Sequence, residues 1–212
     1  MPKFLDYAAL AAPVGADVVL VLDVSDVSMS PDGTTKYLTL ANLVALAAGG
    51  STNRWVAAGE FIPRTTSGSG VNSTETATNK VNTDRLDFDA AAIEYSQVLL
   101  VLPSNWNGGA IRVHFVWTAA SGSGDVVWRA SGRAYANDDA LDQAMGTAQT
   151  ATDTFTVADD VLISAATSDI TLAGTPASNA PVMIEVSRVA TDGGDTLAVD
   201  ASLFGILITF NH

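Results

Sequence analysis

The sequence predicts a mainly β protein: a β-sandwich or jelly-roll domain preceded by a small N-terminal hairpin–helix module. Three observations lead there. From Leu86 onward, short segments with apolar and polar residues alternating recur at close intervals. Gly-, Ser- and Asp-rich turns such as Asn105–Gly109, Ser121–Gly124 and Thr191–Asp195 separate them. Only two stretches carry a helical pattern, and both are short. Many short strands joined by such turns favour two packed sheets.

The first fifty residues read as one unit. Asp17–Asp23 is a Val-rich apolar run of strand length. Ser30–Gly33, containing Pro31 and Gly33, supplies a turn, and Lys36–Thr39 a second short strand. Thr39 then caps a helix over 39–48 that places Leu40, Leu43, Val44 and Ala47 on one face, and Gly49 and Gly50 end it. A hairpin and one helix bury little surface alone, so this unit is expected to pack on a neighbour.

Residues 51–212 are expected to form the sandwich. Trp55–Ile62 is its first strand, stopped at Pro63. Thr65–Thr83 is almost entirely Thr, Ser, Gly and Asn and reads as a long exposed loop, with short strand pieces around Thr76–Val81. Strands follow at Ser96–Leu102, Ile111–Trp117, Asp125–Arg133, Val161–Ser164, Ile170–Leu172, Val182–Val186 and Leu203–Phe210. In the last of these, Phe204, Ile206, Ile208 and Phe210 share a face. Asp138–Met145, acidic in its first turn, is expected to be helical.

Composition excludes several functions. Of 212 residues, 23 are Asp or Glu and 10 are Lys or Arg, a net charge of −13, and no two basic residues are adjacent. Nucleic acid and anionic membranes need clustered cations, so neither is an expected partner. The chain has no cysteine, which removes disulfides, thiolate zinc sites and a thiol nucleophile. Apolar runs such as Val18–Leu22 and Leu99–Leu102 are far too short to span a bilayer, and the N-terminus lacks a signal-peptide layout, so a soluble chain made in a reducing cytoplasm is expected.

Catalytic patterns are thin. The two histidines are His114, on the polar side of a strand, and His212, the last residue. No Gly-x-Ser-x-Gly elbow, zinc-spaced His pair or P-loop occurs. Ser67–Gly70 and Ser121–Gly124 lead into no helix and are flexible turns. Three carboxylate groups stand out: Asp138, Asp139 and Asp142; Asp153, Asp159 and Asp160; Asp192, Asp195 and Asp200. Ca²⁺ takes six to eight oxygens, but none of the groups has EF-hand spacing, and they read as turn formers and solvating charge. No metal, cofactor or catalytic residue is therefore assigned. Among the four tryptophans, Trp117 and Trp128 are expected in the core. Trp106, in a Gly/Asn turn, is the candidate for an exposed ligand-binding ring.

The segment from Asp17 to Leu43, with its Gly33–Lys36 turn leading into Thr39–Leu43, resembles the N-terminal module of bacteriophage tail-fibre, spike and appendage proteins. Phe61–Thr66, Glu75–Val81, Leu86–Asp89, Leu102–Gly109, Asp138–Asp142, Gly146–Ala148 and Asp195–Asp200 are similar to stretches of a recurrent phage structural protein. The resemblance implies a virion component with a β-sandwich, assembling as a homo-oligomer (a trimer is favoured) and contacting other virion proteins. It also implies an N-terminal unit that anchors to the virion, for which Leu40, Leu43, Val44 and Ala47 are the candidate contacts, and a sandwich free to meet a host surface glycan or protein. It carries no catalytic set. The alternative is a capsid or neck decoration protein with no receptor role. A polysaccharide-degrading enzyme is a third reading, disfavoured because the chain has no solenoid repeat.

Overall fold

The computed structural model describes residues 18–23, 34–39 and 51–211. By its internal contacts the chain divides into two compact units, Met1–Gly50 and Ser51–His212.

In the first unit, β1 (Val18–Asp23) and β2 (Thr34–Thr39) pair antiparallel, with Val18 opposite Thr39 and Asp23 opposite Thr34. Thr39, expected to cap a helix, is thus the last residue of a strand. The expected helix and its residues Leu40, Leu43, Val44 and Ala47 lie outside the described residues.

The second unit is a β-sandwich. Its strands are β3 (Ser51–Ala57), β4 (Ile62–Pro63), β5 (Gly70–Glu75), β6 (Asn82–Phe88), β7 (Glu94–Val101) and β8 (Ile111–Thr118). They continue with β9 (Asp125–Ala134), β10 (Gln149–Thr154), β11 (Leu162–Ile163), β12 (Pro181–Arg188) and β13 (Ala201–Asn211). All pair antiparallel in two sheets. One sheet has the order β10-β9-β12-β7-β4. The other has the order β11-β8-β13-β6-β5, with β3 also on β13.

Period-2 alternation decides what meets between the sheets. Ile111, Val113, Phe115 and Trp117 of β8 face inward, as do Val182, Ile184 and Val186 of β12, and all are buried. The centre is aromatic. Trp128 of β9 stacks on Phe115 with centroids 5.4 Å apart and meets Phe88 and Trp117 edge-on at 5.3 and 6.0 Å. Trp117 and Trp128 are core residues, as their strand parity predicts.

Four local expectations are corrected. The first strand is shorter than Trp55–Ile62: after β3 a 3-10 turn at Ala58–Glu60 carries the chain from one sheet to the other, where β4 begins. The Glu60 carboxylate accepts the Ala57 N–H at 3.0 Å, which holds that turn. The expected loop 65–83 is instead largely a hairpin of β5 and β6. β5 is polar on both faces but for exposed Val71, and β6 turns apolar only at its end, at Leu86 and Phe88, so no alternation marks the hairpin. Cross-strand bonds from Asn72 to Asp87 (2.9 Å) and from Ser73 to Asp84 (2.7 Å) hold the pair together.

Asp138–Met145 is not helical. Asn137, Asp138 and Asp139 are turn formers, and Asp138 adopts φ +67°. Side chains capture the carbonyls a helix would use: Tyr135 Oη–H donates to Leu141 O and Gln143 Nε2–H to Ala140 O. Arg133 donates to Ala144 O and to the Gln143 side-chain oxygen. An eight-residue helix is too marginal to compete. The last correction is in β13, where a bulge between Leu203 and Gly205 shifts the register against β8. Leu203, Ile206, Ile208 and Phe210 are fully buried, while Phe204 turns to the outer face beside Arg85.

Candidate binding surfaces

The outer face of the five-stranded sheet collects three of the chain's arginines. Strand parity turns Tyr95 and Gln97 of β7, Glu185 of β12, and Arg129 and Arg133 of β9 away from the core. The Tyr95 ring lies under two guanidinium groups, Arg64 at 4.4 Å and Arg129 at 5.4 Å from its centroid. Arg129 Nε–H donates to Ser187 Oγ at 3.0 Å. Glu185 accepts from Gln97 at 2.7 Å and stands 3.7 Å from Arg64. Beside this cationic and aromatic strip lies an apolar margin: Ile62, Leu99 and Val101 are 74, 61 and 53% exposed, with half-buried Met183 directly opposite Leu99.

The outer face of the other sheet has a different centre. Trp55 of β3 pairs with Leu207 of β13, which pairs in turn with His114 of β8. The Trp55 ring lies over Gly205, where a Cβ would stand 2.7 Å from Cζ2, and remains 45% exposed. His114 Nδ1 is 2.9 Å from Ser164 O, so the lone strand histidine is tied to the backbone. Arg112 pairs with Asp169 at 2.6 Å, and that hydrogen bond, with the charge attraction, raises the guanidinium pKa.

A shallow cleft flanks the β5–β6 hairpin, lined by Thr74, Thr76, Asn79, Val81, Arg85 and Asp159 among others. Its lining mixes hydroxyl and amide groups with apolar Ala77 and Val81 and one charge of each sign.

Trp106 is not an exposed ring. It is 5% exposed and part of the core, although its backbone sits in the expected turn, with its N–H on Pro103 O at 3.2 Å. Composition identified the turn, but nothing in a turn's composition says which way its ring points.

The carboxylate groups serve the fold. Asp153 accepts the Trp117 indole N–H at 2.7 Å, Asp139 accepts Ala136 N–H at 2.8 Å, and Asp192 accepts Gly194 N–H at 2.8 Å. Asp200 accepts Ala90 N–H at 3.2 Å. Asp195, expected among the turn-forming and solvating charges, is instead 1% exposed and paired with Arg188. Among the described residues no three His, Asp or Glu side chains converge in a way that could hold a metal ion.

No family model matches the chain, and no curated protein matches it. Several solved carbohydrate-binding modules resemble it in chain course. The xylan-binding CBM22-2 domain of Paenibacillus barcinonensis Xyn10C is 13% identical, with 72% of this chain and 92% of that one covered and a TM-score of 0.43. The family 11 module of Clostridium thermocellum, solved with a mixed-linked tetrasaccharide, is 8% identical over 74 and 94% of the two chains, TM-score 0.39. TmCBM61, solved with β-1,4-galactotriose, is 13% identical over 79 and 93%, TM-score 0.36.

Proposed function

We propose that this chain is a non-enzymatic structural component of a bacteriophage particle, of the tail-fibre or spike type, that acts by binding. In this reading the unit 1–50 attaches to the virion, copies of the chain associate, and the sandwich 51–212 meets the host surface. The proposal draws on the resemblance of Asp17–Leu43 to phage attachment modules. The observation that carries it is the outer face of the five-stranded sheet. There Tyr95, Arg64 and Arg129 form a cationic and aromatic strip beside exposed Ile62, Leu99 and Val101. Exposed apolar side chains grouped beside aromatic and arginine residues are what protein contact surfaces are made of.

Labelling purified phage particles with an antibody against the sandwich tests the reading. Label at the tail or its fibres is the expected outcome. Label on the capsid shell or neck would assign the chain to decoration instead, and particles without the chain would overturn the virion role.

A further inference from the structure

The two edges of β7 are not equally covered. Along one edge β12 pairs with the whole strand, from Glu94 opposite Arg188 to Val101 opposite Pro181. Along the other, β4 reaches only Gln97 and Ser96, and among the described residues no strand continues the pairing beyond Gln97. Backbone parity shows which groups this leaves open. Leu102 N–H donates to Ala180 O and Leu102 O accepts from Asn179 N–H, so Leu102, and with it Leu100, addresses the β12 side. Tyr95 has the opposite parity, and its N–H and C=O bond to Ser67 O and Arg64 N–H on the β4 side. Leu99 and Val101 share the parity of Tyr95, so their N–H and C=O groups point out of the sheet edge. Their side chains are also exposed, and Ile62 extends the same apolar margin.

We infer that this open length of β7 pairs with a second copy of the chain, strand against strand about a two-fold axis. An uncovered edge with apolar side chains is a template for strand addition. Charge selects the occupant. At −13, copies of this chain repel one another over most of their surface. The edge strand β5 ends in Glu75 and is bonded across to Asp84 and Asp87, and the edge strand β10 contains Asp153. Ser96–Leu102 carries no charge at all, so the two strands themselves pair without like-charge contact. Antiparallel self-pairing centred on Leu100 places Leu99 against Val101 of the second copy and Val101 against its Leu99, the self-complementary arrangement that closes at two subunits. A stable interface takes about 800 Å² from each partner, more than a few strand residues provide. The flanking Ile62, Pro181 and Met183 must therefore join the contact.

This rests on the oligomer part of the proposed function but predicts a dimer, where the sequence resemblance favoured a trimer. The test is sedimentation of the intact chain over a concentration series. Wild type is expected to form a concentration-dependent dimer. Val101→Lys, alone or with Leu99→Lys, is expected to raise the dimer dissociation constant at least about tenfold, with a urea midpoint equal to wild type at concentrations low enough for both proteins to be monomeric. Val71→Lys, on the exposed edge β5, is expected to leave the dimer intact. A wild-type monomer at millimolar concentration, or an oligomer indifferent to both β7 lysines, overturns the inference. A monomer still found on particles sinks only the interface; a dimer absent from particles sinks only the virion role.

Discussion

Arg188 and Asp195 form a completely buried, two-pronged ion pair at the end of the sandwich. Arg188 Nη2 is 2.7 Å from Asp195 Oδ1 and Nε is 3.0 Å from Oδ2, with the two side chains 0 and 1% exposed. The arginine also donates to the carbonyls of Val199 and Leu197, and Asp195 accepts Val127 N–H at 3.0 Å. One guanidinium thereby fastens the connection between β12 and β13 onto both its neighbours.

Breaking the pair from one side leaves a buried charge without its counterpart. Arg188→Ala and Asp195→Ala are each expected to cost about 3–5 kcal/mol in urea unfolding. The apolar double variant Arg188→Met with Asp195→Leu is expected to recover only part of this. It removes both charges but orphans the carbonyls of Val199 and Leu197 and the N–H of Val127. A double variant as stable as wild type would show that relief of the charges' desolvation offsets the loss of those backbone bonds.

Gly205 is where β13 bulges, at φ +154°. A methyl group there would stand 2.3 Å from Val56 O and 2.7 Å from Trp55 Cζ2. Gly205→Ala is expected to destabilise the domain by about 1–3 kcal/mol, the range for an overpacked site. Adding Trp55→Ala removes the ring contact but leaves the clash with the Val56 carbonyl. The double variant should therefore remain less stable than Trp55→Ala alone, as thermal unfolding of the set would show.

How much of this was legible follows from parity. β8 and β12 announce themselves because their inward positions are all apolar up to Val186. The same count of two puts Arg188 on the inner face, so the sequence held the signal for the buried pair. An arginine at a strand end is ordinarily read as solvent-facing. β10 (Gln149–Thr154) and β5 went unread because threonine and polar residues occupy both of their faces, leaving period 2 nothing to mark. The β13 bulge was invisible for another reason: an extra residue changes which side chains share a face without changing the apolar count. The arginine strip was equally hidden, since Arg64 and Arg129 converge on Tyr95 only through the β4-β7-β12-β9 pairing.

The burial of Trp106 redirects what its substitution should do. Trp106→Ala is expected to cost about 3–5 kcal/mol, as for a large core side chain. Trp106→Phe keeps most of the packing, and particle or host-cell binding by that variant should equal wild type. A Trp106→Phe protein with wild-type stability but lost binding would return the ring to the binding surface.

Trp117 and Asp153 offer a sharper measurement, because a single hydrogen bond can be separated from packing. The Trp117 ring is fully buried and its indole N–H has one partner, the Asp153 carboxylate at 2.7 Å. Asp153 sits on β10, opposite Val126 of β9, so the bond also ties an edge strand to the core. Asp153→Ala leaves a buried donor unmatched and is expected to cost about 1–3 kcal/mol. Asp153→Asn keeps an acceptor oxygen at the same reach and should cost less. In the Trp117→Phe background the donor is gone, so Asp153→Ala should then have almost no further effect. Urea unfolding of the four proteins gives the coupling directly, and additive costs would mean that the bond does not form.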